Sequence, residues 1–160
     1  MNISKNFLQK EEFNKLKNFI MGYYFPWYFN DFVNYQGEKE SNFQFTFTFI
    51  DNGEYKCVKD LQDFLIPVLK NIKYKKINRV KANLLTRTDT IIEHDMHIDQ
   101  EKGTTGILYL NNCNGYTKFQ NGKKIISEEN KYVEFNSTLK HTGSTCTDKQ
   151  RRVVINFNYQ

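Results

Sequence analysis

The residues best suited to chemistry lie in the segment HDMHID, which holds two of the three histidines of the chain. His97 and Asp99 are separated by one residue, and in a strand such residues point to the same face, about 7 Å apart. An imidazole and a carboxylate can therefore converge on one cation. His94 would lie on the opposite face of a regular strand, and Met96, which shares that face, is a poor ligand for a hard divalent metal.

The third histidine, His141, is the candidate third ligand. Two neutral imidazoles and one carboxylate form the facial triad that holds non-haem iron(II) and leaves adjacent coordination positions open. Two of these positions can take a chelating 2-oxo acid, and one can take O2. A single carboxylate leaves an Fe(II) site with a net charge of about +1, which attracts a dianionic cosubstrate. Because such triples also arise by chance, the pattern alone is weak support for a metal site.

Two arginines, Arg151 and Arg152, open the final segment RRVVINFNY, ten and eleven residues after His141. A guanidinium on a neighbouring strand can form a bidentate pair with the far carboxylate of a 2-oxo acid while a metal holds the near end. Strand alternation favours Arg152 as this anchor, because the other face of the strand is apolar and should pack on helices. The apolar face consists of Val153, Ile155 and Phe157, and the inward face of Arg152, Val154, Asn156 and Asn158.

The segment TGILYLNNCNGYTKF resembles the sequence that follows the His-x-Asp motif in prolyl-hydroxylase-like 2-oxoglutarate/Fe(II) dioxygenases. That family has a Thr, apolar residues, Tyr-Leu-Asn, a short insert and then Gly-x-Thr-x-Phe, which correspond here to residues 109–111 and 115–119. The later segment EFNSTLKHTGSTCTDKQRRVVINF is similar to the family's C-terminal part, with an apolar strand, the metal histidine, a loop, a basic residue and a final strand. The resemblance covers about half of the chain, residues 79–159.

The resemblance implies that His97, Asp99 and His141 are iron ligands and that the chain is a dioxygenase. Such an enzyme couples the oxidative decarboxylation of 2-oxoglutarate by O2 to the hydroxylation of a C–H bond, with succinate and CO2 as co-products. Fe(II) is then the cofactor and 2-oxoglutarate the cosubstrate, and ascorbate is a candidate reductant.

The cosubstrate residues that the resemblance implies are Tyr109 and a basic residue of the last strand. In several family members the matching tyrosine bonds the C5 carboxylate of 2-oxoglutarate, although Tyr109 could also be a core aromatic. The basic residue is Arg152, or Arg151 if the strand alternation is inverted. Asn83, in the first strand of the core, could line the same pocket or be solvated.

The sequence departs from the family pattern at two points. The usual Gly-Gly before the Thr is Gly115-Tyr116 here, and the last strand lacks the Trp of many prolyl hydroxylases, with Asn156 and Asn158 at inward positions. A peptide or protein side chain such as proline is still the first expectation for the substrate. A nucleobase and a free amino acid or other small metabolite are the alternatives, and the rival class is a non-enzymatic jelly-roll binding or structural module.

Composition narrows the remaining classes of protein. The 160 residues, of which 39% are hydrophobic and 16% aromatic, predict one globular domain with a real core. No apolar run approaches the ~20 residues of a membrane span, and the N-terminus lacks the apolar core of a signal peptide. We therefore expect a cytoplasmic protein (in the host cytoplasm, if the gene is viral) with no membrane partner.

Charge and cysteine content exclude further classes. The run KNIKYKKINR is typical of a solvated face, so a nucleic-acid partner is not expected despite the net charge of +5. The three cysteines, Cys57, Cys113 and Cys146, are widely spaced and odd in number. They predict reduced, mostly buried thiols rather than disulfides or zinc ligands.

The elements that must position these residues change character near residue 78. Before it, apolar spacing predicts a helix over 8–20 and another from an N-cap at Asp60 to Asn71, kinked or delayed by Pro67. Alternating phenylalanines predict a strand at 43–49, followed by an Asn-Gly turn. Eight further strands are predicted at 79–86, 91–98, 105–111, 117–120, 123–127, 131–135, 138–142 and 151–158.

This order of elements predicts a mainly β fold with N-terminal helices, a double-stranded β-helix or jelly roll. We expect a single domain over residues 1–160, in which residues 1–78 support a β-helix core at 79–160.

Overall fold

The computed structural model describes residues 1–34 and 43–160. The helices are α1 (Lys10–Ile20), α2 (Lys59–Gln62) and α3 (Ile66–Asn71), with a 3₁₀ turn at Asp63–Leu65 between the last two. The strands are β1 (Asn2–Ser4), β2 (Tyr28–Asn30), β3 (Gln44–Asp51), β4 (Glu54–Tyr55), β5 (Ile77–Thr86), β6 (Thr104–Tyr109), β7 (Tyr116–Phe119), β8 (Lys124–Ile126), β9 (Lys131–Asn136), β10 (His141–Gly143) and β11 (Arg151–Tyr159).

Two antiparallel sheets pack against each other. The larger has the strand order β1-β9-β6-β11-β5-β3-β2, with β4 paired to β3, and the smaller has the order β10-β7-β8. From β5 onward the chain passes repeatedly between the two sheets, which is the winding of a jelly roll. Apolar residues of both sheets share one cluster between them. The predicted double-stranded β-helix is confirmed.

The segment at 91–98, predicted to be a strand, forms only isolated bridges. Glu93 is bridged to Ser144 and His97 to His141. The segment therefore follows the edge of the smaller sheet beside β10 without a continuous ladder. The prediction of a regular strand is wrong here. From Glu93 to His97 the segment advances four residues, whereas its partner advances three from His141 to Ser144, so the register shifts and no continuous ladder forms.

Helices cover the outer face of the larger sheet. The first predicted helix is confirmed, and it turns Phe13, Leu16 and Ile20 inward. These residues belong to the same core cluster as the apolar side of β11. In the part of the chain that the structure describes, no helix has the length and apolar character needed to cross a membrane.

Pro67 divides the second predicted helix. Proline lacks a backbone N–H and clashes with the preceding turn, so it is tolerated only near a helix start. Accordingly the chain forms α2, the 3₁₀ turn and then α3, which begins at Ile66 with Pro67 in its first turn. Asp60 lies inside α2, whose N-cap is Val58, so the predicted N-cap was two residues too late.

The phenylalanine-rich strand β3 has its predicted period of two, interrupted by a bulge. Phe47 and Phe49 are buried, whereas Phe43 is exposed. The register with β5 shifts between Thr48 and Ile50, which allows Ile50 to be buried next to Phe49. The predicted Asn-Gly turn follows, with both residues at positive φ, 52° and 82°, as a tight hairpin requires.

The strand β11 lies at the centre of the larger sheet, between β5 and β6. Its two faces differ as strand alternation predicts. One face is fully buried beneath the helices and consists of Val153, Ile155 and Phe157. The other face looks into a cavity between the sheets and includes Arg152, Val154 and Asn156.

Replacing Ile155 by alanine should lower the free energy of unfolding by about 2–5 kcal/mol, because the truncation leaves a cavity in a close-packed core. Ile155 is 0% exposed, whereas the matched control Ile126, on β8, is 48% exposed. The change Ile126→Ala should cost less than about 1 kcal/mol. Urea denaturation followed by circular dichroism measures both values, and equal losses would show that the core does not lie on this face of β11.

Candidate active site

A cavity of about 390 Å³ lies between the two sheets. Its floor is the inward face of β5 and β11, and its other wall comes from β7, β10 and the segment around His97. Antiparallel pairing aligns the floor in rows, with Lys81 opposite Asn156 and Asn83 opposite Val154. The polar side chains of the floor are Arg79, Lys81, Asn83, Arg152 and Asn156.

The three predicted metal ligands come together at one end of this cavity. Potential ligand atoms of His97, Asp99 and His141 all lie within 4.8 Å of one another. The two carboxylate oxygens of Asp99 are each 3.7 Å from one imidazole, Oδ1 from Nε2 of His97 and Oδ2 from Nε2 of His141. Two imidazole nitrogens and a carboxylate are a donor set that suits a divalent first-row metal.

Backbone contacts orient both imidazoles. The N–H of His97 donates to the carbonyl of His141 and the N–H of His141 to the carbonyl of His97, each at 3.0 Å. Nδ1 of His141 lies 2.9 Å from the carbonyl of Leu139, and Nδ1 of His97 lies 3.3 Å from that of Asp95. A proton on each Nδ1 satisfies these carbonyls and leaves each Nε2 lone pair for a metal.

The Asp99 carboxylate is held by donors on the opposite sheet. Thr105 donates to Oδ2 at 2.7 Å, and Nδ2 of Asn158 donates to the same oxygen at 3.1 Å. Nη2 of Arg79 lies 3.4 Å from Oδ1. Burial alone would raise the pKa of Asp99, but His141, the Thr105 hydrogen bond and Arg79 outweigh it, so the pKa is lowered. The carboxylate is therefore ionised at neutral pH.

The electrostatics of His97 also favour metal binding. Burial, followed by the neighbouring His141, lowers the pKa of His97 below its ordinary value, and Asp99 only partly opposes this. The imidazole is therefore neutral at pH 7, which is the form that binds metals. His94 is buried outside the ligand group, and its backbone N–H donates to Gly143 on β10.

Arg152 is a buried cation that faces the cavity. Its residue is 3% exposed, and Nη2 donates to Oγ1 of Thr117 at 3.1 Å. Within residues 1–34 and 43–160 no carboxylate forms an ion pair with it, and its buried Nε has no acceptor. Burial lowers the pKa of Arg152 below its usual range. A buried guanidinium without an anion fits a site for a carboxylate ligand.

Arg151 lies on the other face of the strand. Its Nη2 donates to the carbonyl of Met21, just beyond the end of α1, at 2.8 Å. Arg151 is half-buried there and is not part of the cavity wall. The Arg151 guanidinium thus caps the C-terminal end of the first helix.

Tyr109 is fully buried and does not line the cavity. Its hydroxyl donates to Oγ1 of Thr117 at 2.8 Å, and its ring centre is 5.6 Å from the guanidinium carbon of Arg152. Tyr109 thus belongs to an apolar cluster with Phe119 and Phe135. Thr117, which sequence reasoning did not select, lines the cavity and accepts hydrogen bonds from both Tyr109 and Arg152.

Packing explains why the Gly-x-Thr-x-Phe segment begins with glycine. A β-carbon at Gly115 would stand 2.7 Å from Cδ of Arg152 and 2.7 Å from the carbonyl of Thr145. Glycine at this position therefore leaves room for the aliphatic part of the Arg152 side chain. Thr117 accepts a hydrogen bond from the guanidinium of Arg152. Sequence reasoning used this motif for recognition but did not connect it with the arginine.

The basic residues of β5 also line the cavity, although the sequence analysis did not select them. Arg79 ends the charge run that predicted a solvated face, yet its guanidinium contacts Asp99 and lines the cavity, so the prediction is wrong for this residue. Lys81 and Asn83 follow it on the same face. Strand alternation could have identified both basic residues. Asn83 was already a candidate pocket residue, and residues 79 and 81 point to the same side as Asn83, because every second residue of a strand shares one face.

The cysteines are free, as expected, and two of them are neighbours. Cys113 and Cys146 are buried, and Cys57 is half-buried. Sulfur atoms of the first two and a carboxylate oxygen of Asp148 lie within 4.8 Å of one another, which the wide spacing in the sequence did not indicate. Burial, followed by Cys113, raises the pKa of Cys146 to about 11, so this thiol is protonated at neutral pH.

No protein-family model matches the sequence, and no curated protein sequence matches it. Solved structures do match. A Pseudomonas putida prolyl-4-hydroxylase is 11% identical, with a TM-score of 0.64, and the match covers 99% of this chain and 91% of that one. The chain has the fold of the prolyl hydroxylases.

Two further solved structures support this assignment of the fold. A Trichoplax adhaerens prolyl hydroxylase, solved with a hypoxia inducible factor oxygen degradation domain peptide fragment, is 17% identical, with a TM-score of 0.63 and coverage of 99% of this chain and 82% of that one. A 2OG-Fe(II) oxygenase family oxidoreductase from Burkholderia pseudomallei is 11% identical, with a TM-score of 0.59 and coverage of 84% and 73%. At these identities the similarity concerns the fold, and function must be argued from the site.

Acidification should weaken the binding of Mn(II), a stable surrogate for Fe(II), because protons compete with the metal for its ligands. The pKa of His97 lies below 6.5 and that of Asp99 below 3.8, so both are in the metal-binding form at pH 7. Protons should therefore compete for the imidazole of His97 only below about pH 6.5, with a steep loss of affinity towards about pH 5. Titration of free Mn(II) by electron paramagnetic resonance measures this, and a flat profile from pH 7 to 5 would contradict histidine ligation.

Proposed function

We propose that the protein is an Fe(II)- and 2-oxoglutarate-dependent oxygenase that hydroxylates a C–H bond. One observation carries the proposal. The His97, Asp99 and His141 group and the anion-free guanidinium of Arg152 line the same cavity. Fe(II) with 2-oxoglutarate and O2 would supply the oxidative decarboxylation to succinate and CO2 and the hydroxylation coupled to it.

The residues of the chain have distinct roles in this proposal. His97, Asp99 and His141 would hold Fe(II) through two Nε2 atoms and a carboxylate. Arg152 would bind the C5 carboxylate of 2-oxoglutarate, and Thr117 keeps the guanidinium in place through its hydrogen bond. Tyr109, which donates to Thr117 rather than lining the cavity, would act on the carboxylate only through that threonine.

The proposed substrate is a peptide or protein side chain such as proline. The fold shared with the Trichoplax hydroxylase, which was solved with a peptide fragment, supports a peptide-sized ligand. The cavity floor is polar, however, with Lys81, Asn83 and Asn156 on it. This lining favours a substrate with polar groups next to the oxidised carbon, and it keeps a free small metabolite as the second candidate.

The activity is tested by succinate formation from 2-oxoglutarate in air, with Fe(II) and ascorbate, in the presence and absence of proline peptides. Oxygenases of this kind should turn over slowly without substrate, so a metal-dependent signal is expected even then. The control is the Asp99→Ala protein. Absence of any Fe(II)-dependent succinate, in a protein that also fails to bind Mn(II), would favour a non-enzymatic jelly-roll binding module.

Replacing a metal ligand should abolish both metal binding and turnover. Asp99→Ala removes the one carboxylate of the site, so Mn(II) affinity should fall at least a hundredfold, a loss of about 3 kcal/mol. The matched control is His94→Ala, which removes a buried histidine outside the ligand group and should leave Mn(II) affinity within threefold of the unaltered protein. Equal effects of the two changes on Mn(II) affinity would refute the assignment of the ligands.

Replacing Arg152 by alanine should weaken 2-oxoglutarate binding at least a hundredfold, because removing one partner of a buried ion pair costs roughly 3–5 kcal/mol. Lysine at this position should restore binding only in part, since a point charge cannot reproduce the two-bond fork of a guanidinium. Mn(II) affinity should be nearly unchanged.

The matched control for Arg152 is the adjacent arginine. Arg151→Ala removes the same charge from the helix-facing side of β11, where its guanidinium caps α1. We expect less than a threefold change in 2-oxoglutarate affinity, measured by calorimetric titration of the Mn(II) protein. If Arg151→Ala were the damaging change and Arg152→Ala silent, Arg152 would not be the anchor.

A further inference from the structure

The charges around the cavity do not balance. In the part of the chain that the structure describes, its charged lining consists of three cations, Arg79, Lys81 and Arg152, and one carboxylate, Asp99. Among these four side chains the excess is two positive charges. Fe(II) and the 2-oxoglutarate dianion carry equal and opposite charges, so binding both leaves this excess unchanged. An anionic group of a further ligand would reduce it.

Of the three cations, Lys81 has no assigned partner. Arg79 is engaged by Asp99 at 3.4 Å and donates through Nε to Oδ1 of Asn158 at 2.9 Å. Arg152 is the proposed anchor of the cosubstrate. The ammonium of Lys81 forms no ion pair or hydrogen bond with any side chain in the described ranges.

The position of Lys81 makes this lack of a partner costly. Lys81 is half-buried in the middle of β5, a strand with neighbours on both sides. Burial, followed by the nearby Arg79, lowers the pKa of Lys81 to about 8, so the ammonium is still predominantly charged at pH 7. The carboxylate of Asp99 opposes this lowering only in part. An ammonium that has lost much of its hydration and has no carboxylate in direct contact is stabilised by an anion that reaches it.

A second unused polar group lies beside it. Asn156 is the cross-strand partner of Lys81, and its side chain also faces the cavity. Its Oδ1 is buried and has no donor among the described residues. An acceptor that lacks a hydrogen bond next to a cation that lacks an anion matches a ligand carrying a carboxylate and an adjacent N–H group.

We propose that Lys81 and Asn156 form a subsite for the α-carboxylate and the adjacent N–H of the substrate. The substrate would then be the C-terminal residue of a peptide or a free amino acid, rather than an internal residue of a protein chain. A peptide C-terminus brings one negative charge, whereas the carboxylate of a zwitterionic amino acid supplies only a local counter-ion for Lys81. This inference rests on the proposed function in one respect, that the cavity is where the substrate of the oxygenase binds. The inference adds a substrate class, which the residues proposed to bind iron and 2-oxoglutarate do not specify.

The test uses three small probes that differ in charge and in the N–H group. Glycine represents a free amino acid, N-acetylglycine a peptide C-terminus, and N-acetylglycinamide an internal residue. Binding to the Mn(II) and 2-oxoglutarate-saturated protein is followed by saturation-transfer NMR, and the relaxation of probe protons by Mn(II) reports their proximity to the metal. Saturating 2-oxoglutarate occupies Arg152, so that residue cannot account for carboxylate binding.

We expect at least one carboxylate probe to bind about tenfold more tightly than N-acetylglycinamide, the effect of one charge-assisted contact. Lys81→Met should reduce this preference to less than twofold, and Lys81→Arg should keep it. Tighter binding of glycine would indicate that the carboxylate belongs to a free amino acid, and tighter binding of N-acetylglycine that it belongs to a peptide C-terminus. The matched control is Lys73→Met, which removes an exposed lysine outside the cavity and should leave the preference intact.

Several results would overturn the subsite. These are equal binding of all three probes, no binding at millimolar concentration, or a preference that survives Lys81→Met. A hundredfold loss of 2-oxoglutarate affinity in Lys81→Met would instead make this lysine part of the cosubstrate anchor. Saturation transfer needs no metal, so a failure of Mn(II) binding would count against the proposed oxygenase, while the carboxylate preference could still be measured.

Discussion

The site depends on the burial of one negative charge. The side chain of Asp99 is 2% exposed, and a carboxylate at such a position is stable only if donors and cations surround it. Arg79, Thr105 and Asn158 supply them from three adjacent strands of the larger sheet, and His141 of the smaller sheet lies 3.7 Å from the carboxylate. The packing of the two sheets therefore also determines the electrostatics of the proposed metal site.

The two faces of β11 have different roles, and this explains how a small chain supports such a site. On the helix side Val153, Ile155 and Phe157 contribute to the core, and on the cavity side Arg152, Val154 and Asn156 line the cavity. Asn158 reaches Asp99 at one end, and Arg152 reaches Thr117 at the other. The length of this strand thus sets the distance between the two ends of the site, and its rigidity comes from strands on both sides.

Sequence reasoning succeeded where local periodicity and burial act together. The alternation of the last strand separated Arg152 from Arg151, and the His-x-Asp spacing brought two ligands to one side although the segment is not a regular strand. It failed where long-range contacts decide. The hydrogen bond from Tyr109 to Thr117 and the contact of Arg79 with Asp99 both join strands that the sequence does not show to be neighbours. The pairing of Cys113 with Cys146 likewise depends on two loops that meet only in three dimensions.

The two histidines of the ligand group are joined to each other by a pair of backbone hydrogen bonds. Their spacing is thereby set by backbone hydrogen bonds at the edge of the smaller sheet. In small zinc domains, by contrast, the free energy of metal binding is what folds the chain. In the proposed oxygenase, a jelly roll built in this way would bind and release its iron as an ordinary reversible ligand, so the occupancy of the site would follow the supply of iron in its surroundings while the scaffold stays folded.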